Sequence, residues 1–165
     1  MEFMHPKINS RWITKPYVFV MGSNALQRSW LFEKTSITER IKKAHSFRLE
    51  LLSEEIEEID EEEVNALELP TNQTMVRRVK LFADEKEFVI AKSIIPEETK
   101  KLGFSGLENL GNKPLGNLIF TSKQFIKTKV MFAKFLYKGK NFWGRATIFN
   151  VNGYPMSINE VFLID

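Results

Sequence analysis

The 165-residue sequence predicts an α+β domain: a single antiparallel β-sheet flanked by helices, spanning residues 1–165 as one unit. Three observations lead there. Helix-start signals fall early and mid-chain. Alternating apolar runs recur with turn residues between them. The last forty residues read as consecutive hairpin arms.

Taken in order, Ser23 is placed to cap a helix carrying Leu26, Trp30 and Leu31. Ser36-Ile37-Thr38-Glu39 fits a capping box, in which hydroxyl and carboxylate satisfy each other's backbone donors, and a short helix should run to about Ala44. Phe47, Leu49 and Leu51 alternate against Arg48 and Glu50, which indicates a strand. Residues 54–63 hold eight acids and no base, and such a run is expected to be a solvated connector or frayed helix. The run 75–83 is a strand, Asp84-Glu85-Lys86 a turn, and 88–95 a second arm. Pro96 opens a helix in the early position that proline favours. Residues 103–117 are punctuated by glycine and read as loop. Long strands over 124–137 and 141–151 meet near Gly139, and a terminal arm covers 154–163.

Asn152-Gly153 between two β-rich runs is a strong hairpin signal, because both turn residues must reach positive φ. A two-residue turn pairs Val151 with Tyr154, Phe149 with Met156, Thr147 with Ile158, Arg145 with Glu160 and Trp143 with Phe162. Opposed residues share a face, so these ten form one apolar surface interrupted by an arginine facing a glutamate. Burying charge is costly unless it is paired or used, which makes Arg145 and Glu160 candidates for a site. Arg77 is a second misfit. Met75, Arg77, Val79 and Leu81 share an apolar face, while Val76, Arg78, Lys80 and Phe82 should be wet. An inward arginine can fork around a carboxylate, or it can simply meet a buried acid such as Glu160.

Composition narrows the function classes. There is no cysteine, hence no disulfide framework, thiolate metal site or cysteine nucleophile, and two histidines far apart make a poor metal site. No run approaches the roughly 18 apolar residues of a membrane helix, and the N-terminus lacks a signal-peptide core, so a cytoplasmic location is expected. Net charge is +3, but removing the eight acids of 54–63 leaves 13 acids against 24 cations, a surplus of +11. That surplus suits an anionic small substrate. The lysines are dispersed and nucleic-acid motifs are absent, so no nucleic-acid partner is expected. Gly103-Phe104-Ser105-Gly106 is one residue short of a nucleophile elbow. In the stretch from Gly106 to Lys113, Asn112 stands where a phosphate loop needs lysine. Both are read as turns.

The ordered set Leu110-Gly111-x-Lys113-Pro114-Leu115-Gly116-x-x-x-Phe120, Trp143-Gly144-Arg145 and Glu160-x-Phe162-Leu163 resembles bacterial chorismate lyase. Upstream, Trp30-Leu31, Ser36-x-Thr38-x-Arg40, Arg77, and Ala83-Asp84 before a strand ending at Pro96 keep the same order. The likeness covers about residues 23–163 and includes both misfits.

This resemblance implies conversion of chorismate to 4-hydroxybenzoate and pyruvate, toward ubiquinone, with no cofactor and with the ligand enclosed under two helical flaps. By position, Arg77 would clamp the ring carboxylate and the main chain near Ile37 and Leu115 would close over that end. The family usually has methionine where this chain has Ile37. Glu160, taken as ionised, would reach the oxygen substituents at the other end of the ring. Arg40 or Arg145 would meet the enolpyruvyl carboxylate. A monomer is expected. The rival expectation is a non-catalytic effector-binding module of the same fold, as found in bacterial transcription regulators. Those carry a DNA-binding segment ahead of the sensor, where this chain has only residues 1–22.

Overall fold

In the computed structural model, which describes residues 4–165, seven strands form one antiparallel sheet in the order β1-β5-β6-β7-β4-β3-β2. The strands are β1 (Lys7–Ile8), β2 (Phe47–Glu58), β3 (Gln73–Ala83), β4 (Lys86–Ile94), β5 (Phe125–Tyr137), β6 (Lys140–Val151) and β7 (Tyr154–Phe162). The helices are α1 (Lys15–Val20), α2 (Ala25–Leu31), α3 (Ile37–Ala44), α4 (Glu61–Leu67) and α5 (Leu115–Thr121). The predicted class therefore holds: α+β, with the helices set against a single antiparallel sheet.

Three tight hairpins give the sheet its register. Their turns place Asp84-Glu85, Lys138-Gly139 and Asn152-Gly153 at positive φ, the geometry that matches strand twist. Across β6 and β7 the partners are Val151–Tyr154, Phe149–Met156, Thr147–Ile158 and Arg145–Glu160, as the Asn-Gly turn dictates. Trp143 and Phe162 lie just beyond the paired rungs but meet in the same core cluster.

The inner face of the sheet is covered at two ends and polar between them. At one end Trp30, Leu31, Ile37 and Ile41 of α2 and α3 pack on Val79, Leu81, Val89, Ala91, Phe132, Trp143 and Phe162. At the other, Ile95, Leu107, Leu110, Leu115 and Ile119 pack on Phe149, Val151 and Met156. Between these clusters runs the rung Arg77–Ser93–Ile158–Thr147, read from the strand partners.

Several local expectations are corrected. Asn24, not Ser23, caps α2, in a reciprocal box with Gln27; the Ser23 hydroxyl instead donates to Val18 O. Ser36 accepts from Glu39 N, but the Glu39 carboxylate turns to Lys42 rather than back to the cap. Past Pro96 the chain passes into a π-helical turn over Thr99–Gly103, and the glycine-rich stretch contains the unforeseen helix α5.

The acidic run is neither connector nor frayed helix. It completes β2 and, after Asp60 caps it in a box with Glu63, forms α4. Its acids are dispersed onto separate cations: Glu57 on Arg78, Glu63 on Lys92 and Glu54 on Lys100. The outer face of β3 is likewise not simply wet. Val76 is fully buried with Ile59, Leu67 and Ile94 beneath α4, and Phe82 is also buried.

Gly144 is a close approach that the sheet requires. A Cβ there would lie 2.7 Å from the Phe135 ring and 2.9 Å from Glu160 O. Because one obstacle is backbone, Gly144→Ala is expected to destabilise the protein by about 1–3 kcal/mol. Urea denaturation measures this, and an unchanged midpoint would show that β6 and β7 can separate freely.

Candidate active site

A cavity of about 680 Å3, counting its open mouth, lies between the two inner core clusters. The sheet supplies its floor through Arg77, Ser93, Arg145, Thr147 and Glu160. The first turns of α3 and α5 supply its roof through Ile37, Thr38, Leu115 and Gly116. The roof pieces touch: a Cβ on Gly116 would sit 3.2 Å from Ser36 Oγ, so glycine permits the two helix starts to meet.

Arg77 is 1% exposed. Its Nη2 donates to Gly111 O at 3.1 Å and Lys113 O at 2.9 Å, which ties the loop before α5 to β3. Its Nε is buried without a hydrogen-bond partner. Burial pushes the guanidinium pKa down and Glu54, opposite it in the β2–β3 ladder, pushes it up. Arginine stays charged in proteins, so this is a desolvated cation with an unused donor. Such a donor costs free energy unless something fills it, and a ligand carboxylate is the group that fits. Glu160 does not pair with Arg77; the acid whose charge reaches it is Glu54.

Glu160 is held by another cation. Arg145 Nε donates to Glu160 Oε1 at 2.8 Å, while Arg145 Nη1 donates to Leu31 O at 3.2 Å and Glu33 O at 2.7 Å. The last two bonds fasten the α2–α3 connection to the sheet. Arg145 therefore spends three bonds on positioning the carboxylate and the roof, although it also lines the cavity.

The ladder gives the spacing of the two ends. Glu160 pairs with Ala91 and Arg77 with Ser93, so they lie two strands and two residues apart, roughly 12 Å between Cα atoms. Ala91 and Ser93 lie between them, and their small side chains leave the floor open.

Of the predicted residues, Arg77, Glu160, Arg145, Ile37 and Leu115 all line this cavity. Arg40 does not. Its guanidinium stacks on Trp30 at 3.7 Å and bonds to Ser29, outside the lining. Those contacts, together with an ion pair to Glu33, hold its guanidinium against α2 rather than in the cavity.

Sequence reasoning missed Ser93, Thr147 and, above all, Lys127. Counting back by twos from Phe132 and Val130 places Lys127 on the outer face. A bulge between Lys127 and Lys129 adds a residue and returns Lys127 to the side of its partner Phe149. Among the described residues no group of three metal-binding side chains is assembled, and no helix is long and apolar enough to cross a membrane.

The family model described as chorismate lyase matches residues 10–165. A Nitrosomonas eutropha protein named "Probable chorismate pyruvate-lyase" is 33% identical, with 82% of this chain and 85% of that protein covered. A "Chorismate pyruvate-lyase" of Hamiltonella defensa is 28% identical over 81% of this chain and 75% of its own length. Among solved structures, the effector domain of PhnF from Mycobacterium smegmatis superposes with a TM-score of 0.56 at 12% identity. That match covers 79% of this chain and 90% of that domain, and it is a likeness of fold.

Proposed function

Because the chain belongs to the chorismate lyase family, we propose that it eliminates pyruvate from chorismate to give 4-hydroxybenzoate, toward ubiquinone, without a cofactor. The observation that carries this assignment is one cavity with a buried guanidinium whose Nε donor lacks an acceptor at one end and a clamped carboxylate at the other. Arg77 anchors the ring carboxylate from the cavity floor. The roof at Ile37 and Leu115 closes over that end and restricts water.

The reaction needs geometry more than activation. The C3–oxygen bond breaks, its electron pair leaves with the enolpyruvyl group, and the hydrogen at C4 departs as a proton. The ring becomes aromatic, and the released enolate takes up one proton at its methylene carbon to become pyruvate, so the protons balance. Aromatisation makes the step strongly downhill, so holding one conformer and managing one proton accounts for the catalysis required. Glu160 stands at the hydroxyl and ether end and is the group placed to assist that proton. Arg145 keeps its carboxylate aimed.

The test is direct. Purified protein incubated with chorismate and no added metal should release 4-hydroxybenzoate and pyruvate in equal amounts, read by chromatography and a coupled pyruvate assay. No aromatic product would overturn the lyase assignment. Chorismate bound but unchanged would instead mark a non-catalytic effector-binding module.

A further inference from the structure

We propose that Lys127 receives the second carboxylate of the substrate, the one on the enolpyruvyl arm. The proposal rests on the chorismate assignment and completes its charge balance. Chorismate is a dianion. The cavity lining carries three cations (Arg77, Lys127 and Arg145) and one carboxylate, Glu160, which leaves two positive charges to be met. Arg77 accounts for one.

Arg145 is poorly free to account for the other, because Nε and Nη1 are held by Glu160, Leu31 and Glu33. Arg40 lies outside the lining. Lys127 lines the cavity, and its ammonium makes no hydrogen bond or ion pair to any described residue. Burial, then Arg145 and more weakly Lys34, pull its pKa below the ordinary lysine range, with Glu160 opposing. Its partner Phe149 lies four residues along β6 from Arg145, and the long lysine stem can carry the ammonium back along the cavity toward the Arg145–Glu160 end, where the ether oxygen and its enolpyruvyl arm would lie. An anion arriving there would relieve the repulsion from Arg145.

The β5 bulge is what delivers Lys127 to this face. Bulges beside active sites commonly re-aim a side chain, and this one converts an outward lysine into a cation at the cavity rim. The position also suits steering, since Lys127 is exposed and a cation at a cavity mouth draws in anions.

Lys127→Met and Lys127→Arg test the proposal. Calorimetry reads Kd for 4-hydroxybenzoate, which lacks the second carboxylate. Steady-state kinetics reads KM for chorismate, or calorimetry its Kd if the wild-type chain binds chorismate without converting it. That last case would defeat the lyase reading yet still test Lys127. In Lys127→Met, chorismate should weaken by about tenfold or more and 4-hydroxybenzoate by less than about twofold, with Lys127→Arg recovering most of the loss. Equal weakening of both ligands, no weakening of either, or an arginine variant as impaired as the methionine one would overturn the assignment. A wild-type chain that binds neither ligand ends both proposals.

Discussion

Arg77→Ala is expected to lower kcat/KM for chorismate by about thirtyfold to a few thousandfold while leaving a folded protein. The side chain is buried to 1% exposure, so whatever it binds is bound away from water. A desolvated, charge-assisted contact to a carboxylate is among the strong hydrogen bonds, and removing one partner of such a pair costs about 2–5 kcal/mol. The substitution has a second effect, because Gly111 O and Lys113 O lose their donor and the loop before α5 loosens. Arg77→Lys separates the two effects: it keeps a cation but not the planar fork, and should fall between wild type and alanine. Formation of 4-hydroxybenzoate is the readout, with a thermal melt to confirm folding. Wild-type turnover by the alanine variant would end the carboxylate-clamp role.

What was legible in the sequence follows from periodicities that tertiary packing did not override. Asn152-Gly153 specifies a two-residue turn, and from it the pairing of Arg145 with Glu160 follows by counting. Arg77 stood out because alternation along 75–81 put it among apolar neighbours, and it is indeed buried. Counting fails where the period breaks. The bulge after Lys127 shifts the face by one residue, and nothing in the run Phe125-Ile126-Lys127-Thr128-Lys129 announces it.

Charge patterns misled for a different reason. The acidic run looks self-repelling in one dimension, yet the fold presents Arg78, Lys92 and Lys100 from three other segments to three of its acids. Helix α5 escaped notice because glycine and proline dominate its flank, and its packing through Leu115 and Ile119 is a tertiary fact. Arg40 was misplaced because motif order gives position along a helix but not which way its side chain points.

Glu160→Gln carries the other large effect, and it separates chemistry from binding. The amide keeps the shape, and its oxygen can still accept from Arg145 Nε, so the roof connection through Leu31 and Glu33 should survive. What disappears is a negative charge able to take or share a proton. If Glu160 manages the proton at the hydroxyl end of the ring, kcat should fall by about a hundredfold to ten-thousandfold. The Kd for 4-hydroxybenzoate, anchored at Arg77 roughly 12 Å away, should move less than about threefold. Single-turnover rates beside equilibrium product binding give both numbers on one preparation. Losses of equal size would reduce Glu160 to a binding group and shift the proton to water or to the departing enolpyruvyl oxygen. A rate loss with affinity preserved places the proton on the carboxylate that Arg145 holds, so the two arginines of the cavity have separate tasks: one fixes the ring and the other aims the base.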